Sequence, residues 1–108
     1  MLRALLGKAD DGRFGRGAAG LRQGWKFTVT FRRVATGELA GVAQHGEKAF
    51  RVDIVRGRGR GGVLTGSCSC DDHRKRGVLC KHIAFAALWE LGFRAAERSA
   101  HREVRDVG

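Results

Sequence analysis

The sequence predicts a small α+β domain with a three- to four-stranded antiparallel sheet, a cysteine-bearing loop and one C-terminal helix. Three stretches predict it. Residues 25–33 (WKFTVTFRR) and 49–56 (AFRVDIVR) alternate apolar and polar side chains, the period of a half-buried strand. Residues 68–82, CSCDDHRKRGVLCKH, hold all three cysteines of the chain, with a histidine two positions after the last. Residues 81–93, KHIAFAALWELGF, then change to helical spacing.

Taken in order, residues 1–24 begin with Leu2, Leu5 and Leu6 at helical spacing. Gly12, Gly15, Gly17, Gly20 and Gly24 follow within a basic stretch. That density of glycine argues against a stable helix or packed strand, so 1–24 reads as a flexible basic arm. Two roles stand for it: following a phosphate backbone, or a tail with no partner. The strand over 25–33 points Trp25, Phe27, Val29 and Phe31 inward. Residues 39–44 form a weaker strand, with a turn at His45–Gly46, where His45 reads as an exposed turn residue. The strand over 49–56 points Phe50, Val52 and Ile54 inward. Residues 56–62, RGRGRGG, read either as a hairpin connection whose glycines supply positive φ or as an Arg/Gly loop that grips phosphates. Residues 63–67 form a last short strand that delivers Cys68. The helix after Lys81 is expected to run about ten residues and stop at Gly92, with Phe93 folding back. It is apolar on more than one face. The patch around Phe85 and Trp89 is either exposed to a protein partner or buried under the N-terminal segment or the tail. Residues 94–108 read as a polar tail or frayed helix, with His101 solvated. The expected organisation is an arm (1–24), a folded domain (25–93) and a tail (94–108).

The cysteine spacing carries the chemistry. In extended chain, side chains i and i+2 point to one side, so Cys68 and Cys70 reach one ion from a strand end or the turn after it. On a helix those positions do not face each other. Cys80 therefore belongs to the approach to the helix and His82 to its first turn, and residues 71–79 close a loop with its turn at Gly77. Three thiolates and one imidazole make a closed tetrahedral set of the kind that holds structural Zn²⁺, with no position open for substrate. One zinc per chain is expected, on Cys68, Cys70, Cys80 and His82. The basic neighbours Arg74, Lys75, Arg76 and Lys81 favour thiolate. An iron–sulfur cluster, redox thiols or a disulfide are the competing uses. A disulfide fits poorly, since a C-x-C ring is strained and an odd count leaves one thiol over. His73 reads as a solvated loop residue, and Asp71 and Asp72 as turn caps.

The 108 residues suffice for one domain with little apolar core, a size at which a metal staple is common. The net charge is +10, and the first 33 residues carry eight basic and two acidic side chains. Two loops beside the cysteines, 51–62 and 71–82, are also net positive. Such a balance points to a polyanionic partner, nucleic acid above all, with DNA favoured, or else to a basic solvated surface. The contacts would come from Arg56, Arg58, Arg60, Arg74, Lys75, Arg76 and Lys81. No apolar run approaches the roughly 18–20 residues that span a bilayer. The N-terminal apolar stretch is short for a secretory signal. A reducing, intracellular (cytoplasmic) location is therefore expected, with neither membrane nor small-molecule substrate.

With the strands, C-x-C, spacer, C-x-H and helix in this order, residues 37–92 resemble the SWIM-type zinc finger family. Cys68, Cys70, Cys80 and His82 match its pattern position for position, and Lys81 and the apolar helix are also similar. Asp71 stands where members often carry proline, and the chain has no proline at all. Many relatives carry the finger beside a helicase-type ATPase, a transposase or a kinase domain, none of which fits in 108 residues. The resemblance implies a zinc-binding module for contacts with DNA or protein. Two roles are carried forward: nucleic-acid binding through the basic groups, and protein–protein adaptation through the Phe85 and Trp89 patch. An enzyme is not expected, because neither a nucleophile constellation nor a phosphate-binding loop is evident.

Overall fold

A computed structural model describes residues 2–57 and 62–107, with side chains through Ser99. Eight elements follow one another: α1 (Leu2–Leu6), α2 (Asp11–Arg22), β1 (Lys26–Arg33), β2 (Glu38–His45), β3 (Lys48–Arg56), β4 (Leu64–Cys68), α3 (Asp71–Arg76) and α4 (Lys81–Val107). The strands form one antiparallel meander in the order β1-β2-β3-β4. Helix α4 covers one face of the sheet, and α2 packs on α4 from the other side. This explains why α4 is apolar around its circumference: His82 through Ala87 are all buried. No helix is long and apolar enough to cross a membrane among the described residues.

The core joins Leu39, Val52, Ile54 and Leu64 of the sheet to Ile83 and Phe85 of α4. Leu2, Leu5 and Leu6 of α1 complete it. Each such side chain contributes about 1.5–3 kcal/mol on burial.

The N-terminal segment departs from the expected flexible arm. Helix α2 starts on an N-cap, with Asp10 accepting from the Arg13 N–H at 2.8 Å. Beyond its C-cap Gln23, Gly24 has φ 77° and the Trp25 N–H returns to the Gly20 carbonyl at 3.0 Å. Its glycines have a packing use that composition does not show. A Cβ on Gly17 would lie 2.8 Å from both the Ala84 Cβ and the Lys81 carbonyl oxygen. A Cβ on Gly20 would run into the Trp25 ring. Bare backbone on that face lets α2 sit close against α4, and the packing outweighs the poor helix propensity of glycine.

Two further expectations are corrected, and one left open is decided for Phe85. Helix α4 does not stop at Gly92 but continues through the supposed tail to Val107. A mid-helix glycine costs only about 1 kcal/mol. Here the turns around it are bridged by Trp89 stacked on Phe93 and by the ion pair of Glu90 with Arg94. The side chain of His101 lies outside the described residues. Strand β1 keeps its alternation only as far as Val29. Val29 pairs with Gly41 and Phe31 with Ala40, so Thr30 is an extra residue and the facing reverses beyond it. Phe31 turns out to solvent (45% exposed), and Arg32 turns in to hold Glu90, which is fully buried, at 2.8–3.0 Å. Finally, Phe85 is fully buried, edge-on to Trp25 and Phe27. Trp89 packs against Phe27. Of the two readings of this patch, burial therefore holds for Phe85, and Trp89 is half-buried.

Candidate metal centre

Strand β4 ends at Cys68, paired with Val52 in the middle of β3. Cys70, two residues on, is the N-cap of α3. The loop expected over 71–79 is largely this short helix, closed at Gly77 with φ 65°. His73 is held rather than solvated: its Nδ1–H donates to the Val78 carbonyl at 2.8 Å and ties α3 to the segment leading to Cys80. Cys80 precedes α4, and its carbonyl accepts the Ala84 N–H at 3.1 Å. His82 lies in the first turn of α4. A strand end, a helix cap and a helix start therefore deliver four side chains to one point.

The four donor atoms lie within 4.8 Å of one another, and all four residues are buried. His82 Nδ1 faces the Cys68 sulfur at 3.7 Å and the Cys80 sulfur at 4.0 Å. With Zn–S near 2.3 Å and Zn–N near 2.0–2.1 Å, a tetrahedron sets sulfur and nitrogen about 3.6 Å apart. The donor set therefore fits a tetrahedral ion with small adjustment, through Nδ1 of the histidine.

Electrostatics point the same way. The Cys80 thiol is pushed down to about 4, chiefly by the hydrogen bond from the Cys68 sulfur, with His82 and the Ile83 N–H adding to it. Cys68 is pushed far up, by that same bond and by burial. Burial also pushes Cys70 up. Burial and mutual contact thus oppose ionisation of all three sulfurs at once. Three thiolates in this space require a cation among them.

His45 contradicts the expectation of an exposed turn residue. It closes β2 at the two-residue turn Gly46–Glu47, where Gly46 has φ 61°. Its ring stacks on Trp25 at 4.3 Å, and its Nε2 lies 3.2 Å from Nε2 of His82. Burial and the neighbouring His82 hold it below the usual histidine range, as a neutral imidazole. Phe50 stacks on the His82 ring at 4.2 Å. Nothing in the spacing of residues 25, 45 and 82 announces this contact, which depends on the strand register.

The basic residues divide into two groups. Arg74, Lys75 and Arg76 are exposed on α3, directly after Cys70, and Lys81 is half-buried at the start of α4. Asp72 does not cap a turn. It takes a two-point ion pair from Arg13 of α2 at 2.7 and 2.9 Å and a third contact from Arg76 at 3.1 Å. These guanidinium groups hold its carboxyl down at about 2. Asp71 is exposed. Arg56 is exposed at the other end of the β3–β4 ladder. It sits four residues beyond Val52, the partner of Cys68, or about 14 Å along the strand. The structure thus separates Arg56 from the α3 group, and Arg58 and Arg60 lie outside the described residues.

Residues 50–88 match the SWIM zinc finger. The SWIM segment takes in β3 from Phe50 on, β4, α3 and the first two turns of α4, and with them all four donors. Trp25 and His45 lie outside it. No curated protein and no solved structure matches the chain. The SWIM match and the Cys3His cluster support a zinc-binding module.

Proposed function

We propose that Cys68, Cys70, Cys80 and His82 hold one structural Zn²⁺ per chain, and that the module so formed contacts the backbone of nucleic acid, DNA above all. The observation that carries the zinc reading is the meeting of four buried donors at tetrahedral spacing on a strand end and two helix starts. When bound, the ion supplies charge and cross-linking rather than reactivity, because four protein donors fill its coordination. The cross-link joins β4 to α4 directly.

The nucleic-acid reading rests on where that cross-link leaves charge. Arg74, Lys75 and Arg76 stand on a short helix anchored by Cys70 at one end and by the Arg13–Asp72 pair on its flank. Arg16 is exposed on α2, one turn beyond Arg13. A rigid, basic, exposed helix beside a folded metal site suits phosphate contact, and the chain carries +10 overall. Weak sequence preference and strong salt dependence are expected, since guanidinium and ammonium groups on phosphates carry no base information. The test titrates zinc-loaded protein with duplex and single-stranded oligonucleotides over a range of salt. Affinity falling steeply with salt supports the reading, whereas salt-independent binding, or none at low salt, ends it.

A further inference from the structure

We infer that His45 is the positioning residue for the metal-binding histidine: its Nε2 accepts the Nε2–H of His82 and so fixes His82 with Nδ1 directed at the three sulfurs. The inference rests on the zinc reading above and extends it to a residue outside the SWIM segment.

The argument is one of proton placement. His82 Nδ1 is the ring nitrogen nearest the cysteines, 3.7 Å from Cys68 and 4.0 Å from Cys80. A nitrogen that donates its lone pair to a metal carries no proton, so the proton of a neutral His82 sits on Nε2. Nε2 of His82 is buried with its residue and has Nε2 of His45 at 3.2 Å. A buried N–H needs an acceptor, and a neutral imidazole with its own proton on Nδ1 supplies one. Metal-binding histidines generally hand their second N–H to such a partner, which selects the tautomer and the ring orientation. Here the partner is a second imidazole rather than a carboxylate or carbonyl.

The surroundings hold His45 in place. Trp25 stacks on one face of its ring, with planes 21° apart, and Phe50 lies near it at 5.7 Å. Trp25 is in turn seated against Gly20 of α2, where a side chain would collide with the indole. A chain of contacts thus runs from α2 through Trp25 and His45 to His82. It makes the N-terminal helices part of the support of the metal site.

Two substitutions separate hydrogen bonding from packing. His45→Phe keeps an aromatic ring against Trp25 and removes the acceptor. His45→Gln keeps an acceptor and removes the ring. Competition with a chromophoric chelator gives the zinc affinity of each, and circular dichroism of the loaded proteins reports the fold. The expected result is a roughly 10–100-fold loss of zinc affinity in His45→Phe and recovery of most of it in His45→Gln. Equal affinity in His45→Phe and wild type, or equal losses in both variants, overturns the inference and leaves the zinc reading standing. A wild-type chain that takes no zinc overturns both. Long-range ¹H–¹⁵N correlation on the wild-type zinc-loaded protein needs no variant to fold. The inference requires a protonated Nε2 on His82 and an unprotonated Nε2 on His45, and the opposite pattern on either ring overturns it.

Discussion

Cys80 ionises first among the three thiols, because Cys68 donates to its sulfur, while Cys68 and Cys70 are held protonated by burial and by their neighbours. A thiol with a raised value in the metal-free chain must lose its proton on binding, so binding strengthens as pH rises and weakens as it falls. Because the metal-free chain is expected to be unfolded, with its thiols near the free cysteine value, zinc uptake at neutral pH is expected to release close to three protons, from Cys68, Cys70 and Cys80, and affinity to climb steeply with pH. Calorimetry in buffers of different ionisation enthalpy reads the proton count, and a count near zero contradicts the assignment. Buried Glu90 makes a second test at this scale. Its carboxylate is shared by Arg32 and Arg94, both of which retain some contact with solvent. Glu90→Ala should cost about 2–4 kcal/mol, somewhat less than a wholly buried pair because both arginines can regain water. Thermal melting of the zinc-loaded variant checks this, and an unchanged midpoint would count against a structural role. At this scale the sequence was legible where chemistry alone constrains spacing. C-x-C and C-x-H must present their side chains from extended chain and helix start, and the elements found do so. Glu90 and His45 were not legible, since each owes its role to a partner 58 or 37 residues away.

Elements were legible in proportion to how local their causes are. Alternation located β1 and β3, and the apolar run located the start of α4. The reversal within β1 was hidden because a bulge belongs to a pair of strands and not to one of them. Glycine misled twice, in α2 and at Gly92, because a propensity of about 1 kcal/mol is easily overcome by tertiary contact. Two glycines of α2 now give opposite predictions. Gly17→Ala places a methyl 2.8–2.9 Å from Ala84 and from α4 backbone atoms that cannot rotate aside, so it should destabilise the protein by about 1–3 kcal/mol. Gly15→Ala meets nothing within 4 Å and should stabilise by up to about 1 kcal/mol. Chemical denaturation of the two variants reads the difference. Two neutral substitutions would mean that residues 11–22 do not pack as a helix on α4.

For the whole molecule, the fold class was readable in advance, yet its extent was underestimated. The supposed arm and tail add three leucines, a helix against α4 and the continuation of α4 itself to the folded unit. The basic groups likewise resolve into an α3 cluster beside the metal centre and Arg56 at the far end of the β3–β4 ladder, which net charge alone does not distinguish. If α3 meets phosphates, replacing Arg74 and Lys75 together by alanine should weaken binding to every sequence alike. It should also lower the slope of log affinity against log salt by about two on duplex DNA. An unchanged slope would place the contacts elsewhere.

The zinc cross-link sets the energy scale for the molecule. Structural zinc sites are worth about 10–16 kcal/mol in small metal-folded peptides, as much as the whole stability of a domain this size. Native mass spectrometry under reducing conditions reads metal content and compactness in one spectrum. A compact, low-charge population carrying one zinc per chain is expected, with a metal-free chain that appears only after chelation and is extended and highly charged. A compact population without metal, under conditions that keep the cysteines reduced, would contradict it.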